Sequence, residues 1–258
     1  MITLVGVGHV FQLRQRIEGL VEKRRPDLVC IELDEDRYRF IRQKEREGKY
    51  PSMTVALLAR FQSRTAEMFG TTVGDEMIAA VDAAMELGVP HEFIDMDGYT
   101  IMQKLRKEMT MKERFWAFIA AIGAQFISKK RIEKELKEYE ENPEAYEDEL
   151  EKRFPTFKRV LIDERNAYMA WRIAQSTTTH GAIMAIVGDG HVMGITDHLD
   201  RWGLEHDVIR LSEMREEVDP KGPEEGLPPE PQPEDSGIAV TYTYSFNDRG
   251  IEHPPEAH

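Results

Sequence analysis

A single cysteine, Cys30, in 258 residues rules out a disulfide framework within the chain, and a reducing compartment is compatible with that. It lies in the apolar run Asp27-Leu-Val-Cys-Ile-Glu32 and reads as a small buried hydrophobe. Basic residues are outnumbered: 34 Lys and Arg against 48 Asp and Glu give a formal charge of −14. Nucleic acid is not expected as a partner, because phosphate binding needs a basic stripe. The acidic balance suits solubility and a surface that attracts cations, but says nothing about fold. No basic segment followed by an apolar run opens the chain, so no secretory signal is expected and a cytoplasmic location is the default. Long apolar runs are missing as well. The most apolar stretch, Phe115 to Ile127, holds Gly123 and Gln125, is too short to span a bilayer and reads as core helix or hydrophobic cover, with membrane contact the lesser alternative.

What is present is an alternation of short apolar strands with helical patterns. Ile2 to Val7 ends in glycines and reads as a buried strand; Phe11 to Lys23 has apolar residues at helical spacing; Asp27 to Leu33 is a second buried strand. Strand, helix and strand in so short a span imply a parallel sheet with a right-handed crossover. Helices are expected at 36–49, 53–69 and from Gly74-Asp75-Glu76 to Gly88, then a third strand at 92–96. Residues 99–176 read as a large helical insertion, whose stretch 129–153 alternates charges like a solvated arm. Within it, Phe157 to Ser176 reads as one long amphipathic helix. A strand at 182–187, a helix from His191 to Trp202 and a short strand at 206–211 close the α/β domain, expected over 1–215. The Pro/Glu-rich stretch 216–237 reads as a flexible linker. The tail 238–258 contains one alternating strand, 238–246, which needs a partner strand in its own chain or in a neighbour's, and a homodimer is one way to supply it.

Two segments repeat the same chemistry. Val5-Gly6-Val7-Gly8-His9-Val10 and Val187-Gly188-Asp189-Gly190-His191-Val192 agree at five of six positions, each after a strand and before a helical pattern. Glycines there permit a tight strand-to-helix turn and close approach to a ligand, and ligands bind outside the carboxyl ends of parallel strands. His9 and His191 are therefore expected at one sheet edge, near helix N-termini that favour neutral imidazoles able to bind a metal or accept a proton. Two histidines that only cap helices are the alternative. Glu32 ends the second strand on the same edge, as a metal ligand, a general base or a charge for the next helix. Glu76 sits in the first turn of its helix, where the macrodipole favours a carboxylate, and reads as structural. Asp95 and Asp97 follow the third strand, and one of them is expected to cap the helix near Thr100. On the long helix, Phe157, Leu161, Glu164, Tyr168 and Trp171 share a face, and Glu164 beside Arg165 reads as an ion pair at a cleft or as an interface salt bridge.

With those residues on the page, the chain resembles the TraB/PrgY/GumN family, related to the Tiki metalloproteases and to the erythromycin-esterase and ChaN-like group. The resemblance rests on Gly6 to His9, Gly188 to His191, Ile-Glu32-Leu-Asp-Glu-Asp-Arg, Gly74-Asp-Glu-Met77, Ile94-Asp-Met-Asp97 and Asp163-Glu-Arg-Asn-Ala-Tyr-Met-Ala170. It implies a metal-assisted hydrolase site built from His9, Glu32, His191 and Arg165, and promotes Glu76 from a structural to a functional role. The Tiki branch implies peptide cleavage with Mn²⁺ or Co²⁺; the TraB branch implies the handling or shutdown of peptide pheromones.

The expected function is thus a divalent-metal-dependent hydrolase acting on a peptide or small molecule. His9, His191, Glu32 and Glu76 would hold the ion, with Glu32 or Glu76 as base and Arg165 stabilising the developing oxyanion. Ligand types do not choose among Mn²⁺, Co²⁺, Fe²⁺ and Zn²⁺. Two alternatives stand beside it. A dinucleotide-binding turn is mimicked by Gly6-x-Gly8 with Glu32, although Phe11 occupies the third glycine position. A non-catalytic binder of a peptide or partner is the other.

Overall fold

The computed structural model describes residues 1–8, 13–43, 74–124 and 126–216. His9, Phe11, the helix expected at 53–69, the linker beyond Glu216 and the tail strand 238–246 lie outside those residues.

Five strands form one all-parallel sheet: β1 (Ile2–Val7), β2 (Leu28–Ile31), β3 (His91–Phe93), β4 (Ile183–Gly188) and β5 (His206–Ile209), in the order β3-β2-β4-β1-β5. β1, β2 and β4 read as unbroken apolar runs because both of their faces are covered. Alternate residues enter two separate cores. Val5, Val7, Val29, Ile31, Met184 and Ile186 pack under α1 (Arg14–Arg24) and α3 (Asp75–Glu86). Leu4, Cys30, Ala185 and Val187 pack on the other face, under helices that follow later in the chain. Cys30 is fully buried there, and burial pushes its thiol up, as its apolar surroundings suggested. Between α1 and α3, α2 (Glu35–Gln43) follows directly from β2.

The excursion between β3 and β4 is the expected helical insertion. It comprises α4 (Gly98–Glu108), α5 (Met111–Ala124), α6 (Lys129–Glu141), α7 (Pro143–Arg153), α8 (Pro155–Lys158) and α9 (Glu164–Ser176). Asp97 caps α4 by accepting from the Thr100 N–H at 2.9 Å, and Asn142 caps α7 at Ala145 with Pro143 in the first helical position. After β4, α10 (Asp189–Arg201) and α11 (Leu211–Glu216) complete the described chain. None of the described helices is long and apolar enough to cross a membrane.

One expected element is corrected. Phe157 to Ser176 is not a single helix, because Arg159–Asp163 forms a π turn between α8 and α9. The buried side of α9 is Asn166, Met169, Ala170 and Ile173. Tyr168 and Trp171, expected on the inward face, pair with each other at 5.9 Å, with Trp171 about half exposed.

The order of the strands positions the site. β1 and β2 lead into helices on one face and β4 leads into α10 on the other, so the carboxyl end of β4 is flanked on both sides by a change of face. Crevices of that kind are where open α/β sheets bind ligands.

Candidate functional site

Register brings the carboxyl ends of β1, β2 and β4 level. Val7 pairs with Gly188, and the Glu32 N–H donates to the Ile186 carbonyl at 3.0 Å, extending β2 by one residue. Glu32 thereby turns to the α9/α10 face. Its Oε2 accepts from the Gly188 N–H at 2.6 Å, and its Oε1 lies 3.3 Å from His191 Nε2. His191 is the third residue of α10, so the strand-to-helix turn at Gly188 delivers the ring against the carboxylate. The ring's other nitrogen, Nδ1, is 2.6 Å from Asn166 Oδ1. Asn166 reaches it from α9 past Gly194, where an added Cβ would stand 2.0 Å from Asn166 Nδ2. A residue larger than glycine at 194 would displace the amide that holds the histidine.

Arg165 lies next to Asn166 and meets Glu32 from the opposite side. Its Nη2 donates to Glu32 Oε1 at 2.5 Å and to Asp95 Oδ2 at 2.7 Å, its Nε to Asp95 Oδ1 at 2.9 Å, and its Nη1 to the Leu161 carbonyl at 3.0 Å. Leu161 belongs to the π turn, so the irregular winding supplies an acceptor that fixes the guanidinium. Asp95 is shared with Arg37 of α2, which also pairs with Asp34 at 2.5 Å; Asp34 in turn accepts from the Gly98 N–H. Glu32, Asp34, Asp95, Arg37 and Arg165 thus form one continuous network from β2 to α9.

Burial alone would raise the Glu32 carboxyl. The adjacent His191 and Arg165, with the Gly188 N–H, outweigh it and hold Glu32 well below the usual carboxylate range. Burial also opposes ionisation of Asp95, and Arg165 and Arg37 reverse that. Burial works against the Arg165 charge too, yet Glu32 and Asp95 raise it further. Three carboxylates face two guanidinium groups in this network.

The family follows from this arrangement together with the match along the chain. Residues 1–205 match the TraB/PrgY/gumN family. The chain belongs to that family. It is also 28% identical, over 228 residues, to an uncharacterized protein of Methanocaldococcus jannaschii, an alignment covering 83% of this chain and 57% of that protein. The chain therefore spans little more than half the length of this curated relative.

In this TraB/PrgY/gumN chain the residues singled out from sequence divide into groups. Glu32, Asp95, Arg165, His191 and Gly188 come together. Asp97 serves as the cap of α4, the role foreseen for one of the two aspartates. Glu164 points elsewhere and pairs with Lys104 and Arg159. Glu76 is buried in the first turn of α3, on the α1 side of the sheet. His9 lies outside the described residues. Gly6 makes room for a protein group rather than for a ligand: a Cβ there would meet Asp189 Oδ1 at 2.3 Å. Asp189, inside the second motif, is buried and clamped by Arg210 at 2.6 and 2.9 Å and by the Leu211 N–H at 2.9 Å, which ties the start of α10 to α11.

Asn166, Arg37 and Asp189 were given no role of their own from the sequence. Asn166 had a signal, since asparagine inside a helix is a poor helix former that needs a reason. Arg37 had none beyond standing three residues after Asp34, whose Oδ1 accepts from its N–H at 2.8 Å.

The donor set suits a divalent ion. An imidazole whose Nδ1 is held by a side-chain carbonyl presents Nε2 to a metal, and 3.3 Å is within the span of two ligand atoms on one ion. Among the described residues no third His, Cys, Asp or Glu joins this pair to complete a metal site.

Proposed function

We propose that the chain is a divalent-metal-dependent hydrolase, with a peptide as substrate, whose ion is held by His191 and Glu32 together with His9. The observation that carries this reading is the pair His191 Nε2 and Glu32 Oε1. If Nδ1 donates to Asn166 and the ring carries no second proton, the Nε2 lone pair faces a carboxylate oxygen 3.3 Å away, an arrangement that a metal ion or a proton between them would satisfy.

The ion, Mn²⁺, Co²⁺, Fe²⁺ or Zn²⁺, would supply Lewis acidity at the scissile carbonyl and at the attacking water. The chain's own groups do the rest. Glu32, held ionised by Arg165 and Gly188, is a ligand and charge partner and a poor base at neutral pH. Glu76, buried on the α1 side of the sheet, does not join this pair. Arg165 spends four of its five N–H donors on Glu32, Asp95 and Leu161, so its part is to position Glu32.

A second reading makes the positive species a proton, with His191 and Glu32 as a metal-free acid–base pair. The Arg165 cation already on Glu32 Oε1 favours it. Peptide-library hydrolysis with added Mn²⁺ or Co²⁺, before and after chelation, separates the readings. Activity lost on chelation, restored by metal and absent in Glu32→Gln supports the metal hydrolase. Activity that survives chelation supports the proton. No turnover under any condition would identify a binding protein.

A further inference from the structure

Helix α5 carries its large apolar residues on the outside. Glu113, Ala117, Ala121 and Ala124 line its inward side, small residues around one buried carboxylate. Outward, Met111, Phe115, Ile119, Ile122 and Phe126 succeed one another three or four residues apart along α5 and the turn after it. Their exposure runs from 38% at Ile122 to 82% at Phe126. Trp116, half exposed and edge-on to Phe115 at 5.7 Å, widens the strip. The free face of a helix on a globular protein is ordinarily polar, and a contiguous apolar strip of this kind marks a contact surface.

The charge around the strip says what it contacts. Between residues 106 and 131 the chain carries seven Lys or Arg against two Glu, although its total charge is −14. Those two glutamates are already engaged, Glu113 with Thr110 and Thr156, and Glu108 with Arg159. Arg106, Lys107, Lys112, Arg114, Lys130 and Arg131 are all exposed. At about 100° per residue, Lys112 and Arg114 fall on either side of the apolar strip. With a Debye length of about 8 Å, a surface touching α5 feels this local positive charge rather than the acidic whole.

We propose that α5 docks on an anionic lipid surface. The helix lies in the interface plane, with Phe115, Trp116 and Ile119 at the acyl boundary and the flanking Lys and Arg among the headgroups. Aromatic rings beside basic residues suit that boundary. A second copy of the chain fits less well, because pairing two strips sets like charges against each other.

The test is flotation of the full chain with phosphatidylcholine vesicles containing about a third phosphatidylserine, beside phosphatidylcholine alone. The chain should float with the anionic vesicles only, and less at high salt. Phe115→Ser with Phe126→Ser, and separately Lys112→Glu with Lys130→Glu, should each weaken binding at least about tenfold without changing the thermal melt. In a Trp171→Phe, Trp202→Phe background, Trp116 emission should shift to the blue on the anionic vesicles. No flotation, equal flotation with neutral vesicles, or indifference to both pairs of substitutions overturns the proposal. A dimer that Phe115→Ser and Phe126→Ser dissociate, without lipid binding, would give the strip to a second copy instead.

Discussion

Asn166 and Gly194 decide how His191 stands. The amide fixes Nδ1 at 2.6 Å, and the missing Cβ at 194 leaves the amide its place. Removing an outer partner of a ligating histidine typically weakens metal binding by about ten- to a hundredfold. Asn166→Ala should lower Mn²⁺ affinity by that range in calorimetry, and Gly194→Ala should lower it in the same direction. Unchanged affinity in both would mean that Asn166 packs against the ring without orienting it. At this scale the Gly188-to-His191 turn, Glu32 and Arg165 were legible, because their spacing and strand-end positions are written locally. The partners of Arg165 were not legible. Asp95 lies 70 residues away and Glu32 133 residues away, and no local pattern pairs them.

Among elements, the joint between α5 and α8 depends on one side chain. Glu113 accepts from the Thr110 N–H and hydroxyl, closing a capping box, and from the Thr156 N–H at 2.8 Å and hydroxyl at 3.0 Å. Burial pushes the Glu113 carboxyl up, and those four donors more than reverse it, so it titrates below its ordinary value. Glu113→Ala should cost about 2 kcal/mol, a fall of roughly 4–8 °C in Tm. A carboxyl lowered in the folded state stabilises above its unfolded pKa. The gap between wild type and variant should therefore be full at neutral pH and close as the pH falls below about 4.3. A gap that persists undiminished in acid would remove the carboxylate from this role. The strands were read to within a few residues from their apolar runs. The π turn at 159–163 was not, since one extra residue per turn has no compositional mark.

For the whole molecule, the βαβ pattern implied a parallel sheet, and the sheet is parallel throughout. Its order could not be read, because β4 inserts between β1 and β2 from some 150 residues downstream. That insertion puts Gly188 and His191 beside Glu32 and creates the crevice. The proposed function requires that this crevice hold a divalent ion on His191, Glu32 and His9. Metal content, measured on protein purified without chelator and then reloaded with Mn²⁺ or Co²⁺, tests it most directly, beside His191→Ala and His9→Ala. About one ion per chain is expected in the wild type, lost in each variant while the thermal melt in chelator is kept. A wild type that takes up no ion, or variants that bind as well as the wild type, would contradict it.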